Sequence, residues 1–268
     1  MDADKPNRGL FECELKKKRS LGPDVYEITL ALFTVDARPF QFAMVGVPGR
    51  NDLLLKRPFT IFDTILEKEG GIKVLVKTVG EGTERLAAAP AGTRVETTGP
   101  FGKPSDIPGE RIAVVAGGIG IAGLYLFAKQ NAGRISTIYF GSTTKWDMGF
   151  YESLDKLEVP VEIATDDGTL GHGGLITDLL TDVDCDAVVA CGPPAMLERV
   201  REITTRAGTP AYGSFEARMA CGVGACRGCA IPVRPEKTCG KEYLMVCDDG
   251  PVFDMDVIDW ERYRAAGI

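Results

Sequence analysis

Short hydrophobic runs recur along the first hundred residues of the chain. Gly, Pro, Asn and Asp lie between them, as in Pro48–Asp52 and Gly70–Gly71. Regularly spaced short runs with such turns are typical of a β-sandwich or β-barrel. We therefore predict an all-β domain over residues 1–103, with one helix at Glu84–Ala89. The predicted strands are Phe11–Leu15, Val25–Phe33, Phe42–Val47, Leu53–Phe62, Ile72–Val79 and Arg94–Thr98.

The pattern changes after Gly99–Gly109, a stretch rich in Gly and Pro that we interpret as a linker. Buried strands and amphipathic helices then alternate, which predicts a parallel, doubly wound α/β sheet over residues 110–216. The predicted strands are Arg111–Ala116, Thr137–Phe140, Val161–Thr165, Ala187–Cys191 and Ala211–Phe215. The predicted helices are Gly120–Gln130, Phe150–Leu157, Leu175–Leu180 and Pro194–Arg206.

Residues 217–268 are rich in cysteine and glycine and are too few to build a large core of their own. A metal centre would supply the missing folding free energy. We therefore predict a small C-terminal metal-binding segment.

Charge and hydropathy exclude several classes of protein. The net charge of −7 and the lack of a long basic stretch argue against a nucleic-acid partner. The longest uncharged apolar stretch, Ile112–Ala128, has 17 residues, includes four glycines and is too short to span a membrane. The N-terminus has no apolar signal region. We expect a soluble, cytoplasmic protein with no membrane contact.

Five of the eight cysteines fall within 27 residues, and three of them have the spacing C-x4-C-x2-C at Cys221, Cys226 and Cys229. With one more distant cysteine, this is the ligand spacing of a plant-type [2Fe–2S] cluster. Interleaved glycines would let the loop curl around the cluster. Zinc or free thiols are the alternatives, although structural zinc prefers two close ligand pairs. Cys247 and Cys239 both remain candidates for the fourth ligand.

Two short motifs of the β domain could hold a phosphorylated cofactor. Arg57-Pro58-Phe59-Thr60 places an arginine and a hydroxyl at a strand end, where arginine could bind a pyrophosphate. Gly80-Glu81-Gly82-Thr83 directly precedes a predicted helix, which is the setting of a phosphate-binding turn. A plain strand-end turn and a plain hairpin-to-helix connection are the alternatives.

Two motifs of the α/β domain indicate a dinucleotide. Gly118, Gly120 and Gly123 satisfy G-x-G-x-x-G between a strand and a helix. The acidic residue expected ~20 positions later is absent, and glycines that serve strand–helix packing alone are the alternative. Cys191-Gly192-Pro193 ends another strand, where ligands bind in open α/β sheets. Cys191 could pack on a nicotinamide ring or be a core cysteine.

No acid–base or nucleophilic set is evident. The single histidine, His172, lies in a glycine-rich loop and is interpreted as a surface residue. Hydride and electron transfer need no such set, because the cofactors supply the chemistry. We therefore assign no catalytic side chain.

Together these segments resemble the ferredoxin–NADP reductase superfamily and, within it, the electron-transfer subunits of class 1B dihydroorotate dehydrogenases. The resemblance covers nearly the whole chain. It is carried by Arg57–Thr60, Val79–Thr83, Gly117–Ile121, Glu216–Cys221 and Cys247–Phe253. It implies a flavin-binding Greek-key β-barrel at 1–103, an NAD-binding domain at 110–216 and a [2Fe–2S] segment at 217–268.

The resemblance also implies the roles of individual residues. Thr60 would lie near the flavin N5 atom and Arg57 on the pyrophosphate. Cys247 would be the fourth ligand, because it directly precedes the family's Asp-Gly-Pro-Val-Phe tail. FAD would be bound by Arg57, Pro58, Phe59, Thr60, Leu75, Val76, Lys77, Gly82 and Thr83. NAD(H) would be bound by Gly117, Gly118, Gly120, Cys191, Gly192 and Pro193. The cluster would be bound by Cys221, Cys226, Cys229 and Cys247.

The implied function is electron transfer between NAD(H), FAD, a [2Fe–2S] cluster and the FMN of a dihydroorotate dehydrogenase catalytic subunit, as a heterotetramer with two copies of each. One alternative is the small subunit of an NADH-dependent ferredoxin:NADP oxidoreductase or of a cytoplasmic hydrogenase. A second is a non-catalytic zinc or redox-sensing module.

Overall fold

The computed structural model describes residues 9–31, 36–49, 55–65, 70–147, 149–181 and 183–267. Parts of the predicted strands Val25–Phe33 and Leu53–Phe62, and of the turn Pro48–Asp52, lie outside these ranges.

The strands are β1 (Gly9–Ser20), β2 (Val25–Ala31), β3 (Phe42–Val45), β4 (Arg57–Ile65), β5 (Gly71–Lys77), β6 (Arg94–Phe101), β7 (Ile112–Gly117), β8 (Ile135–Ser142), β9 (Val161–Thr165), β10 (His172–Gly173), β11 (Ala187–Cys191), β12 (Ala211–Ser214), β13 (Ala230–Pro232), β14 (Tyr243–Met245) and β15 (Val252–Asp254). The α-helices are α1 (Glu81–Ala88), α2 (Ile121–Gln130), α3 (Tyr151–Asp155), α4 (Pro194–Ala207) and α5 (Trp260–Ala265).

Strands β1 to β6 form a closed antiparallel barrel in the order β1-β2-β5-β4-β3-β6. Strands β3, β4 and β5 are consecutive neighbours, and β6 returns to lie beside β3, which is a Greek key. Alternate residues point inward, so that Ile72, Val74 and Val76 of β5 join one buried cluster. The predicted Greek-key barrel is confirmed.

A seven-stranded sheet in the order β10-β9-β8-β7-β11-β12-β15 follows the barrel. Its strands are parallel except β15, which pairs antiparallel with β12. Helices cover both faces of this sheet. Ile112, Val114 and Ala116 of β7 pack in the cluster that contains α2, whereas Ala113 and Val115 pack in the cluster that contains α4. The predicted doubly wound sheet is confirmed.

Some predicted helices are shorter in the structure. The segment predicted as a helix at Leu175–Leu180 is a 3₁₀ turn at Ile176–Leu179. The Asp178 carboxylate accepts a hydrogen bond from the Leu175 N–H at 3.0 Å, which closes this tight turn. The predicted helix Phe150–Leu157 is limited to α3.

No helix in the described ranges is long and apolar enough to cross a membrane.

Helix α2 lies between the sheet and the barrel. Phe62 of β4 stacks on Tyr125 with ring centroids 4.2 Å apart, and Phe40 stacks on Phe127 at 5.1 Å. At the linker, the Arg134 guanidinium donates to the carbonyl oxygens of Ile107 and Gly109. These contacts hold the barrel and the sheet against the same helix.

The C-terminal segment shares the core of the α/β sheet. Strand β15 adds to the sheet, and an aromatic cluster anchors α5: Phe215 lies 5.8 Å from Trp260 and 5.5 Å from Tyr263 between ring centroids. The Trp260 indole N–H donates to the Met255 carbonyl at 2.9 Å. Packing therefore contributes folding free energy to this segment in addition to any metal.

Replacement of Trp260 tests this anchorage. Trp260 is 4% exposed, so we expect Trp260→Ala to lower the free energy of unfolding by about 3–5 kcal/mol. Urea unfolding followed by circular dichroism measures the change. The matched control is Trp146→Ala at the only other tryptophan, which is 67% exposed and should change stability by no more than about 0.5 kcal/mol. Equal stability of the two variants would contradict the packing argument.

Candidate functional site

A cleft of about 520 Å³ lies between the barrel and the carboxyl ends of β7 and β12. One wall comes from β4, β5 and the turn before α1, and the opposite wall from α2 and the residues after β12. Of the nine residues predicted to bind FAD, eight line this cleft: Arg57, Pro58, Phe59, Thr60, Leu75, Lys77, Gly82 and Thr83. The ninth, Val76, points into the barrel because neighbouring residues of a strand face opposite sides.

Arg57 lies across the first turn of α1. A Cβ atom at Gly82 would stand 2.8 Å from the Arg57 Nε, so glycine is the residue that leaves room for the guanidinium. The first N–H groups of a helix have no intrahelical acceptor. The guanidinium and these N–H groups together favour an anion here.

The hydroxyl of Thr83 closes the turn before α1. It accepts a hydrogen bond from the Val79 N–H at 3.0 Å and donates to the Gly80 carbonyl at 2.9 Å. In this arrangement Thr83 shapes the turn, and the donors that face an anion are Arg57 and the backbone.

Glu216 is a polar residue of the opposite wall to which the sequence interpretation gave no role in the site. It follows β12 and lines the cleft together with Ser214 and Phe215. The residue is exposed overall, and partial desolvation of its carboxyl group by the neighbouring protein raises the pKa of Glu216. The sequence did contain a signal for Glu216: it is an acidic residue directly after a buried strand, at the carboxyl edge of the sheet.

The glycine loop after β7 and the Cys191–Pro193 turn after β11 pack directly on each other. A Cβ atom at Gly120 would lie 2.3 Å from the Cys191 carbonyl oxygen. One at Gly117 would lie 2.9 Å from Pro193 Cδ, and one at Gly192 would lie 2.5 Å from Met196 Cε. Gly118 instead has φ +54° and open space around it. The two predicted nucleotide motifs are thus adjacent, and Gly120 is needed for packing.

The Cys191 thiol lies beneath the wall of the cleft and is not part of its surface. A Cβ atom at Gly123 would lie 3.2 Å from its Sγ atom, and burial strongly raises its pKa. Gly123 and Ser214 line the cleft above it. Contact of Cys191 with a nicotinamide ring stays a prediction.

Two acidic residues follow a neighbouring strand at the carboxyl edge of the sheet. No acidic residue ends β8, but Asp166 and Asp167 follow the neighbouring β9. The Asp166 N–H donates to the Ser142 carbonyl at 3.1 Å. Two hydrogen bonds from Thr169 lower the pKa of Asp167. The sequence pattern gave these residues no role, because it looks for an acid at the end of the next strand in the chain.

The four predicted cluster ligands come together in two pairs. The Cys226 N–H donates to Cys221 Sγ at 3.4 Å, and the Cys229 thiol donates to Cys247 Sγ at 3.2 Å. Further N–H groups point at the sulfurs, from Val223 to Cys221, from Gly228 to Cys226 and from Gly224 to Cys247. Positive φ angles at Gly222 and Gly224 allow this curl.

The loop favours a thiolate at Cys221 and opposes one at Cys247, whose pKa burial raises to about 12. Burial opposes ionisation of Cys221, but the N–H groups of Cys226 and Val223 outweigh it and lower its pKa to about 7. Within the described ranges, no group of three or more His, Cys, Asp or Glu side chains has the geometry for a single metal ion. Two thiol pairs with N–H donors fit a group that contains two irons.

Cys239 and His172 stand apart from these sites. Cys239 is exposed at φ +52° in the turn after Pro235–Lys237. His172 is exposed, with its Nε2 atom 3.7 Å from the Asp178 carboxylate. Neither lines the cleft.

Comparison with known proteins places these features in a family. The model of the iron-sulfur cluster binding domain of dihydroorotate dehydrogenase B matches residues 216–259. The chain is 35% identical over 249 residues to the dihydroorotate dehydrogenase B (NAD(+)) electron transfer subunit of Caldanaerobacter subterraneus, covering 92% of this chain and 97% of that protein. The same subunit of Shouchella clausii is 37% identical over 252 residues, covering 88% and 93%.

The chain belongs to the dihydroorotate dehydrogenase B electron transfer subunit family. The family resemblance seen in the motifs is thereby confirmed. Among solved structures, an NADH-dependent reduced ferredoxin-NADP oxidoreductase matches with a TM-score of 0.83 at 27% identity, covering 96% of this chain and 93% of that one. The family's cluster-binding domain begins at Glu216, on the wall of the cleft, and contains both thiol pairs.

Replacement of Gly120 tests whether this glycine serves packing. Its φ of −56° suits any residue, so a Cβ atom acts only through its clash with the Cys191 carbonyl. We expect Gly120→Ala to lower the free energy of unfolding by about 1–3 kcal/mol, measured by urea denaturation. Gly133→Ala is the control, since its Cβ would meet no atom within 4 Å. An unchanged stability of Gly120→Ala would overturn the assignment.

Proposed function

We propose that this chain carries electrons between NAD(H) and a catalytic partner subunit in the oxidation of dihydroorotate to orotate. When bound, FAD exchanges a hydride with NAD(H) and releases electrons singly, and a [2Fe–2S] cluster carries one electron at a time. One observation above all supports this proposal. Met219 lines the cleft, and the first cluster ligand, Cys221, follows only two residues later, so the chain between them spans at most about 7 Å.

The cleft suits FAD. Arg57 and the start of α1 supply positive charge for the pyrophosphate, while Phe59, Leu75 and Phe215 supply apolar surface for a ring. The backbone of Pro58 and the hydroxyl of Thr60 would orient the flavin, and Val76 would contribute only its main chain. Lys77, Gly82 and Thr83 complete this proposed set.

The dinucleotide would lie at the carboxyl edge of the sheet. Gly117 and Gly118 would let its pyrophosphate approach the backbone after β7, with Gly120 holding the loop in place. The turn Cys191, Gly192 and Pro193 would border the nicotinamide. Ile119, Ala122 and Gly123 line the flavin cleft from the same loop and helix, which supports direct contact between the two rings.

Cys221, Cys226, Cys229 and Cys247 would hold the cluster, with two thiolates for each iron. The N–H groups that point at their sulfurs would stabilise the negative charge of the bound cluster. Cys226 and Val223 are exposed, so the loop offers an accessible face. We propose that an FMN-containing catalytic subunit binds over this face, in a heterotetramer with two copies of each subunit.

We further propose the division of the chain into an FAD-binding barrel (1–103), an NAD-binding domain (110–216) and a cluster-binding segment (217–268). The packing of β15 and α5 on the α/β sheet indicates that the third unit folds on the second.

The experiment that tests the function is expression of the chain with a dihydroorotate dehydrogenase catalytic subunit from the same genome. We expect a stable complex that reduces NAD+ in the presence of dihydroorotate. The contrary outcome is a chain that binds FAD and the cluster but, with a different partner, transfers electrons between ferredoxin and NADP+. That result would favour the ferredoxin:NADP oxidoreductase alternative, to which the solved structure at TM-score 0.83 points.

Arg57→Ala should weaken FAD binding about 10-fold or more, because a charge-assisted hydrogen bond to phosphate is lost. Flavin absorbance per protein after gel filtration measures occupancy. Arg94→Ala is the matched control, since Arg94 also lies on the barrel but pairs with Glu12 on its outer surface, away from the cleft. Full occupancy in Arg57→Ala would count against the pyrophosphate assignment.

The fourth ligand can be decided by two serine variants. Cys247→Ser should lose the [2Fe–2S] absorbance and electron paramagnetic resonance signals, because its sulfur lies 3.2 Å from Cys229 Sγ. Cys239→Ser should keep both signals. The reverse result would move the fourth ligand and, with it, the proposed face for the partner.

A further inference from the structure

A second groove, of about 590 Å³, lies at the other end of helix α2. Ala122 and Gly123, near the start of α2, line the flavin cleft, whereas Tyr125 and Lys129 line this groove. Strands β1, β2, β4 and β5 form its barrel side, and α2 and α3 its other side. None of the proposed cofactor residues lies in it.

The groove is cationic in an acidic protein. Five basic side chains line it against two carboxylates, which leaves a local charge of +3, while the whole chain carries −7. The carboxylates are neutralised in place. Asp63 accepts hydrogen bonds from Lys129 at 2.7 Å and from the Thr64 N–H at 2.9 Å. Glu27 lies 3.5 Å from Arg19 and 3.9 Å from Lys73.

Two of the basic side chains have no acidic partner among the described residues. Lys17 on β1 and Lys156 after α3 make no ion pair within the described part of the chain. They stand on opposite walls, one on the barrel and one on the α/β domain. Because both line the groove, their ammonium groups can approach one anion from opposite walls.

A tyrosine hydroxyl adds a hydrogen-bond donor to the lysines of this groove. Tyr125 is 6% exposed, lines the groove, and its hydroxyl has no hydrogen-bond partner among the described residues. Burial and the charges of Asp63 and Glu27 raise its pKa to about 12, so the group is a donor at neutral pH. The hydroxyl oxygen is not sealed off from the groove, so it can donate a hydrogen bond to an anion bound there.

We propose that this groove binds a small oligophosphate anion, either free or carried on an organic molecule. Lys17 and Lys156 bind the phosphoryl oxygens from the two domains, and the Tyr125 hydroxyl donates from the floor. The groove has the volume of a small-molecule site. Because β4, β5 and α2 also line the flavin cleft, an occupant here contacts the elements that form the cofactor site.

Titration calorimetry of the purified FAD-loaded protein with inorganic tripolyphosphate tests the proposal. We expect micromolar binding that persists in saturating NAD+. Lys17→Gln/Lys156→Gln should raise Kd at least about 10-fold, and Tyr125→Phe, which keeps the stacking on Phe62, should raise it several-fold. The control Lys103→Gln/Lys237→Gln makes the same charge change at exposed sites outside the groove and should leave Kd unchanged.

Several results would overturn the proposal. No binding at millimolar tripolyphosphate would do so, as would equal weakening in the control variant, which would indicate general charge attraction. Loss of binding in NAD+ would assign the phosphate to the dinucleotide site. ATP compared with tripolyphosphate identifies the source: tighter binding of ATP indicates a phosphate carried on an organic molecule, and equal binding indicates recognition of the phosphate chain alone.

Discussion

The packing of helix α2 is the constraint on which both cavities of the molecule depend. On one side its first turn approaches β11 closely, because Gly120 and Gly123 leave room for the Cys191 carbonyl and thiol. On the other side Tyr125 and Phe127 stack on aromatic rings of the barrel domain. The helix therefore fixes how far the barrel stands from the sheet. The flavin cleft lies at its beginning and the cationic groove near its end.

The position of the cysteine loop relative to the cleft depends on the short connection that leads to it from the last parallel strand. Strand β12 delivers Ser214, Phe215 and Glu216 to the cleft wall, and the chain passes to Cys221 without another element. Strand β15 and the aromatic cluster around Phe215 hold the returning chain, which carries Cys247. Apolar packing thus sets the position of the thiol pairs relative to the cleft before any metal binds.

Local signals in the chain carried the correct predictions, and contacts made by the folded chain produced the departures from them. The strand alternation of the barrel, the strand–helix alternation of the sheet and the cysteine spacing are local, and each led to the right fold and family. The assignments that changed were of another kind. Leu175–Leu180 became a 3₁₀ turn because of one side-chain hydrogen bond. The end of the chain, expected to depend on a metal, shares its core with the preceding domain.

The sequence by itself determined the class of the protein, since hydrophobic period, glycine position and cysteine spacing depend on neighbours in the chain. It also selected Arg57, Thr60 and Gly82, which line one cleft. Only the tertiary structure decided that Gly120 is a packing residue, that Glu216 faces the cleft and that Lys17 and Lys156 share a groove. Each of these depends on strands and helices far apart in sequence meeting in space, and no local pattern of residues encodes that meeting.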